Sequence, residues 1–262
     1  MIVFDNIGVI FNRGTALETA ALRGINLTVA AGDFITVIGS NGAGKSTLLS
    51  VLAGEAEAAK GGIRIDGKST SKMAAHKLAA KVARVFQNPT SGTCAELTIE
   101  ENLALAAARG KSRGWKLALT TKNREHFRAR LAKLELGLEN RLREPVGSLS
   151  GGQRQALSLV MATLAPSRIL LLDEHTAALD PKMAEFVLTQ TRRAAKDYDL
   201  TMLMVTHSMK AALSCGNRTL MLHQGKIVLD IAGEERARTT PETLLHQFTK
   251  SAADHEDRLM LS

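Results

Sequence analysis

The chain has 262 residues, 45% hydrophobic and 23% charged, enough to bury a substantial core in one or two closely joined domains. It contains no run of eighteen apolar residues, and "MIVFDNIGVIF" has no signal-peptide pattern, so a membrane-spanning or exported protein is excluded and a cytosolic one expected. A net charge of +8 admits nucleic acid or an anionic membrane as partner, while Cys94 and Cys215, far apart and outside any CxxC spacing, exclude a disulfide framework and a zinc site.

The first two apolar stretches, "IVFDNIGVIF" and "LRGINLTV", alternate with polar residues and predict half-buried strands. The continuous run "DFITVIGS" predicts a buried strand entering a loop. A helix is expected from Lys45 to near Gly54, then short strands at "GGIRIDGK" and "VARVFQ". From Asn88 to Pro166 the sequence favours helix, with apolar residues three and four apart in "TIEENLALAAA" and "REHFRARLAKLELG". Thr98 and Glu101 stand at capping-box spacing. Between Arg109 and Arg130, eight Lys and Arg face one Glu. Such a run reads as a solvated face, with contact to an acidic surface as the alternative. Trp115 and Phe127 are too sparse there for a base-stacking platform. "LSGGQRQALSLVMA" reads as a helix start. Strand and helix then alternate through "ILLLDE", "MAEFVLTQTRRAAK", "TMLMVT", "SMKAALSC", "RTLMLH" and "KIVLDI". The order implies an α/β fold with a mostly parallel sheet, interrupted by a helical insertion.

"GSNGAGKST" fits G-x-x-x-x-G-K-[ST] between a predicted strand and a predicted helix. Gly39, Ser40, Asn41, Gly42, Ala43 and Gly44 would wrap phosphates with backbone. Lys45 would reach the β- and γ-phosphates, Ser46 would ligate magnesium, and Thr47 completes the motif. Asp173, ending a buried strand, is the candidate to hold magnesium through water, and Glu174 to orient or deprotonate an attacking water. His207 follows another apolar strand and is a candidate sensor of the γ-phosphate. Gln87, at a further strand end, is placed to reach the magnesium or the water. Ser150, Gly151, Gly152 and Gln153 open a helix without a lysine, a second anion site.

In this order the motifs resemble those of the ATP-binding cassette ATPases, specifically the separate nucleotide-binding subunits of ABC transporters. "GSNGAGKST" is similar to Walker A, "VFQNP" to the Q-loop, "LSGGQ" to the signature, "ILLLDE" to Walker B, "AALDP" to the D-loop and "VTHS" to the switch histidine. The resemblance implies a RecA-like P-loop NTPase core with an antiparallel β subdomain and a helical subdomain. It places one domain over 1–250, with core at 1–87 and 167–250, helical subdomain at 88–166, and a tail at 251–262. It further implies ATP and Mg²⁺ as cofactors and a head-to-tail pair of chains, so that Ser150 to Gln153 meet the partner's ATP. An adenine-stacking aromatic lies on the first strands in this family, and Phe11 is the match here. Where the family commonly has proline after the glutamate, this chain has His175, which reads as a tolerated loop variation that loosens Glu174.

The expected function is ATP hydrolysis energising an importer of a small solute such as an amino acid, on the cytoplasmic side of the inner membrane. Its partners would be permease subunits and an extracytoplasmic substrate-binding protein, without nucleic acid. A soluble cassette ATPase of the iron-sulfur cluster assembly type is the alternative. Thr93, Cys94 and Leu97 are expected to form an apolar notch for a permease helix.

Overall fold

The computed structural model describes residues 1–111 and 118–249. The middle of the basic segment, with Trp115, and the expected tail at 251–262 lie outside the described residues. In chain order, β1 (Ile2–Phe11), β2 (Thr19–Val29) and β3 (Phe34–Gly39) precede α1 (Lys45–Ala53), β4 (Lys60–Ile65), β5 (Lys68–Ser69), α2 (Ala75–Ala79) and β6 (Val82–Val85). Helices α3 (Ile99–Ala107), α4 (Thr121–Ala132) and α5 (Gly151–Ala162) follow, with 3-10 turns at Pro89–Gly92, Leu138–Asn140 and Val146–Ser148. The chain continues through β7 (Ile169–Asp173), α6 (Pro181–Asp197), β8 (Thr201–Val205), α7 (Met209–Ser214), β9 (Arg218–His223), β10 (Lys226–Ala232) and α8 (Gly233–Arg238). Residues 241–249 are helical. The short helices α2 and α8 escape sequence reading because α2 buries only Leu78 and α8 buries no residue, so neither carries an apolar face that could register as a period.

Two compact units divide the chain: Met1–Met73 with the chain from Thr201 onward, and Ala74–Leu200. The second is wider than the 88–166 segment, because it also takes in β6, β7 and α6.

In the first unit an antiparallel sheet has the order β2-β1-β4-β5, and Ile2 of the central strand faces Val29 on one side and Ile65 on the other. Its buried residues are Ile2, Phe4, Ile7 and Val9, a spacing that slips by one position. The slip has a structural cause: the register shifts between Phe4 and Ile7, where Asn6 takes a φ of 49°. All of β3 is buried, with β8 and β9 parallel on its two sides. Two-sided burial is why this strand reads as a continuous apolar run. β9 returns as β10 through Gln224 and Gly225, both with positive φ, the conformation that matches strand twist in a tight hairpin.

In the second unit β6 and β7 are parallel, registered from Val82 with Ile169 to Val85 with Leu172. Leu103, Phe127, Leu131 and Leu157 bury the facing sides of α3, α4 and α5. Thr98 and Glu101 make the capping box that their spacing predicts, the carboxylate accepting the Thr98 N–H at 2.8 Å.

Three cations of the basic segment depart from its expectation as a solvated face, while Lys111, Lys122 and Arg128 are exposed. Arg124 pairs through two hydrogen bonds, at 2.7 and 3.1 Å, with Glu100. Arg109 donates to the Ala162 carbonyl and the Ser167 hydroxyl. Arg130 donates to Thr163 and lies over the Tyr198 ring at 4.6 Å. Burial lowers the Arg109 and Arg130 pKa values. Three of the described cations therefore stitch helices together through their guanidinium groups.

Candidate functional site

The phosphate loop begins where β3 ends, at the carboxyl edge of three parallel strands. Gly39 and Gly44 are there for backbone reasons. Gly44 has a φ of 98°, and a Cβ on it would stand 2.5 Å from the Ala21 carbonyl oxygen. Gly39 has a φ of 150° and would collide with the Leu222 carbonyl. Only glycine satisfies both demands. Lys45 is the first residue of α1 and is buried, its Nζ donating to the Gly39 and Ser40 carbonyls at 2.9 Å each. The ammonium thus folds back across the loop it serves. Ser46 is exposed and Thr47 half-buried, at a helix start whose amide groups have no intrahelical acceptors.

His207, just past β8, joins this edge. A cavity of about 370 Å³ is lined by Gly39, Ser40, Asn41, Thr206 and His207, with Leu245 and Phe248 closing one side. The structure therefore brings the phosphate loop and the predicted sensor to one cavity. Phe11, at the end of β1, is 43% exposed, unusual for an aromatic side chain.

The second unit carries the acidic residues. Asp173 ends β7 at 8% exposure, and Arg84 from the neighbouring β6 donates to its Oδ2 at 2.6 Å. Glu174 follows at a φ of 45°, a left-handed conformation that costs a non-glycine residue about 1 kcal/mol. His175 is not a loosely held loop residue, and this corrects the expectation drawn from sequence. It is 3% exposed, and its Nε2 lies 3.0 Å from the Thr191 hydroxyl of α6. Because that hydroxyl donates to the Val187 carbonyl, Nε2–H is the donor to Thr191. Burial pushes the imidazole pKa down to about 4, so the ring is neutral at pH 7. A buried anchor thus stands immediately after Glu174, where the reading from sequence has a loosened restraint.

Gln87 sits exposed in a bend beyond β6. The preceding carbonyl, of Phe86, accepts a hydrogen bond at 3.1 Å from Gln155, a fully buried residue of α5. At the start of α5 the Ser150 hydroxyl accepts the Gln153 N–H, and the Gln153 side chain accepts the Ser150 N–H, both at 3.2 Å. Gln153 therefore spends its amide oxygen on the cap, while the Ser150 hydroxyl keeps its proton for donation. Gly151 is exposed, whereas Gly152 is buried because the Met183 side chain occupies the space of any Cβ.

A family model described as ABC transporter matches residues 22–177. The chain belongs to the ABC transporter family. Among curated relatives, a tyrosine transport ATP-binding protein of Clostridioides difficile is 40% identical over 250 residues, covering 95% of this chain and 98% of its own. The thiamine import ATP-binding protein ThiQ of Escherichia coli is 34% identical, over 77% of this chain and 82% of its own. Among solved structures, a dimeric ATP-binding cassette in a post-hydrolysis state bound to ADP and Pi superposes with a TM-score of 0.77 at 27% identity, covering 88% of this chain and 98% of that one. The chain is accordingly the ATP-binding, ATP-hydrolysing subunit of an ABC transporter, with a P-loop NTPase fold.

Within this cassette, several positioning residues carry no motif and were missed by sequence reasoning. Arg84 interrupts an apolar strand, and its charge was the available signal. Gln155 and Asn102 are polar residues on buried helix faces. Asn102 accepts from the Cys94 N–H and donates to the Cys94, Leu97 and Thr98 carbonyls, fastening the segment that follows Gln87. Leu245 and Phe248 gave no signal beyond helical spacing. The side chains expected at magnesium, Ser46, Gln87 and Asp173, offer hydroxyl, amide and carboxylate oxygens, whose hard chemistry suits magnesium and not a soft metal.

Proposed function

We propose that this ABC ATPase drives uptake of an amino acid through a permease in the inner membrane, with an extracytoplasmic protein delivering the solute. The observation that carries the reading is the match, end to end, to a tyrosine transport subunit at 40% identity. Relatives named for thiamine and methionine import also weigh for this reading over the iron-sulfur one. Among the described residues no helix is long and apolar enough to cross a membrane. The cassette would sit on the cytoplasmic face and reach the membrane through its partner, without nucleic acid.

In the proposed cycle the glycine loop and Lys45 hold the ATP phosphates, and Phe11 stacks on adenine. Ser46, Gln87 and Asp173 would hold magnesium, which when bound offsets phosphate charge. Glu174 takes a proton from water as the water oxygen bonds to the γ-phosphorus and the bond to the bridging oxygen of ADP breaks. His207 donates to the γ-phosphate, and Ser150 with the Gly151 and Gly152 amides binds the ATP of a second copy of the chain.

A groove of about 1330 Å³ in the second unit offers the seat for the permease. Thr93 and Cys94 line it together with Phe86 and Met161 and with the cations Lys77, Lys81, Arg109 and Lys111. Leu97 is not among the described residues lining it; its carbonyl accepts hydrogen bonds from the Val146 N–H and from Asn102, which does line the groove. Deleting the gene and following uptake of labelled amino acids tests the transport reading, and uptake unchanged for every amino acid would refute it. Mixing Ser150→Arg with Lys45→Ala chains tests the two-chain site. ATPase activity should appear in the mixture and in neither variant alone.

A further inference from the structure

Arg84 is the polar member of β6, between the buried Ala83 and Val85, and its side chain is only 10% exposed. Its guanidinium reaches Asp173 on the adjacent parallel strand at 2.6 Å, where the carboxylate side chain is 12% exposed. The same guanidinium lies 5.0 Å from the centre of the Phe86 ring. It is therefore held from two directions, by a short charge-assisted hydrogen bond and by an aromatic face. Asp173 is the carboxylate read above as serving magnesium, and the inference rests on that reading. A carboxylate this buried needs a cation at all times, since an uncompensated buried charge is strongly disfavoured. Arg84 is such a cation, and it comes from the chain itself.

We propose that Arg84 is a built-in counter-cation of Asp173 with which magnesium must compete, so that Arg84 sets the magnesium requirement of nucleotide binding. The charges dictate the direction. A divalent ion approaching Asp173 meets a carboxylate already neutralised and a guanidinium that repels it. When Mg²⁺ and ATP arrive together, the phosphates bring the negative charge that lets both cations remain. Without nucleotide the ion pair keeps the strand ends of β6 and β7 together. Arg84 is a positioning residue, and it acts through Asp173.

Arg84→Met keeps the length of the side chain and its contact with Phe86 while removing the charge. The Mg²⁺ concentration giving half-maximal binding of a fluorescent ATP analogue should fall about threefold to tenfold in Arg84→Met, and stay near the wild-type value in Arg84→Lys. In EDTA the thermal midpoint of Arg84→Met should drop by several degrees, and saturating Mg²⁺ with ATP should recover much of the loss. A merely structural arginine would lower the midpoint without moving the magnesium curve. An unmoved or raised half-point in Arg84→Met, with wild-type binding still dependent on Mg²⁺, overturns the proposal alone. Wild-type binding indifferent to Mg²⁺ removes the magnesium reading of Asp173 and the proposal with it. Should Arg84→Met fail to fold, ¹⁵N spectra of the wild-type guanidinium serve instead. The Arg84 resonance should move along the Mg²⁺–ADP binding curve, and a resonance that stays fixed overturns the proposal.

Discussion

The phosphate-loop edge and the Asp173–Glu174 edge belong to different units of the chain, and they are built by different means. The first is shaped by backbone: positive φ at Gly39 and Gly44, carbonyls of neighbouring strands pressed close, and a lysine tied to main-chain oxygens. The second is shaped by side chains: Arg84 on Asp173, His175 on Thr191, Gln155 on the Phe86 carbonyl. Backbone demands admit almost no alternative residue, so they recur as a motif. Side-chain pairs have many chemical solutions, so each must be found in the fold.

The largest expected effect comes from Glu174, the residue proposed to activate water at the second edge. Glu174→Gln should bind ATP with near-normal affinity and lose about 10²- to 10⁴-fold in hydrolysis rate, measured in single-turnover and equilibrium-binding assays. Unchanged turnover would show that the water is activated elsewhere. Next, Gly44→Ala probes the backbone edge. The new Cβ meets the Ala21 carbonyl at 2.5 Å and must adopt a φ of 98°, so a stability loss of about 2–3 kcal/mol is expected by urea unfolding, together with weaker ATP binding. A silent substitution would mean that the loop is not held by its backbone.

His175→Ala tests the side-chain anchoring of the second edge. It removes a buried ring and leaves the Thr191 hydroxyl short of a donor, at an expected cost of about 2 kcal/mol in unfolding free energy. If His175 also steadies Glu174, the maximal rate should fall while ATP affinity holds, and loss of stability with an intact rate would confine the residue to packing. The smallest effect should come from the cap of α5. Ser150→Ala removes the acceptor for the Gln153 N–H and should cost about 1 kcal/mol of stability. Ser150→Thr should restore the cap, and comparing the two in ATP-driven dimerisation separates capping from contact with the second chain.

Sequence alone determined the types of the longer elements and the glycine-loop residues of this protein, because strand alternation, helical spacing and glycine conformation are local properties of the chain. The capping boxes at Thr98 and Ser150 were legible or half-legible for the same reason, since their partners lie three residues apart. Only the tertiary structure decided that His175 is a buried anchor and not a loose loop residue, and that Arg124 and Arg130 stitch helices. It also decided that Arg84 faces Asp173, 89 positions along the chain. The physical reason is range. A partner three or four residues away is fixed by backbone geometry, whereas a partner on another strand or helix is fixed by register and packing, which no local pattern encodes.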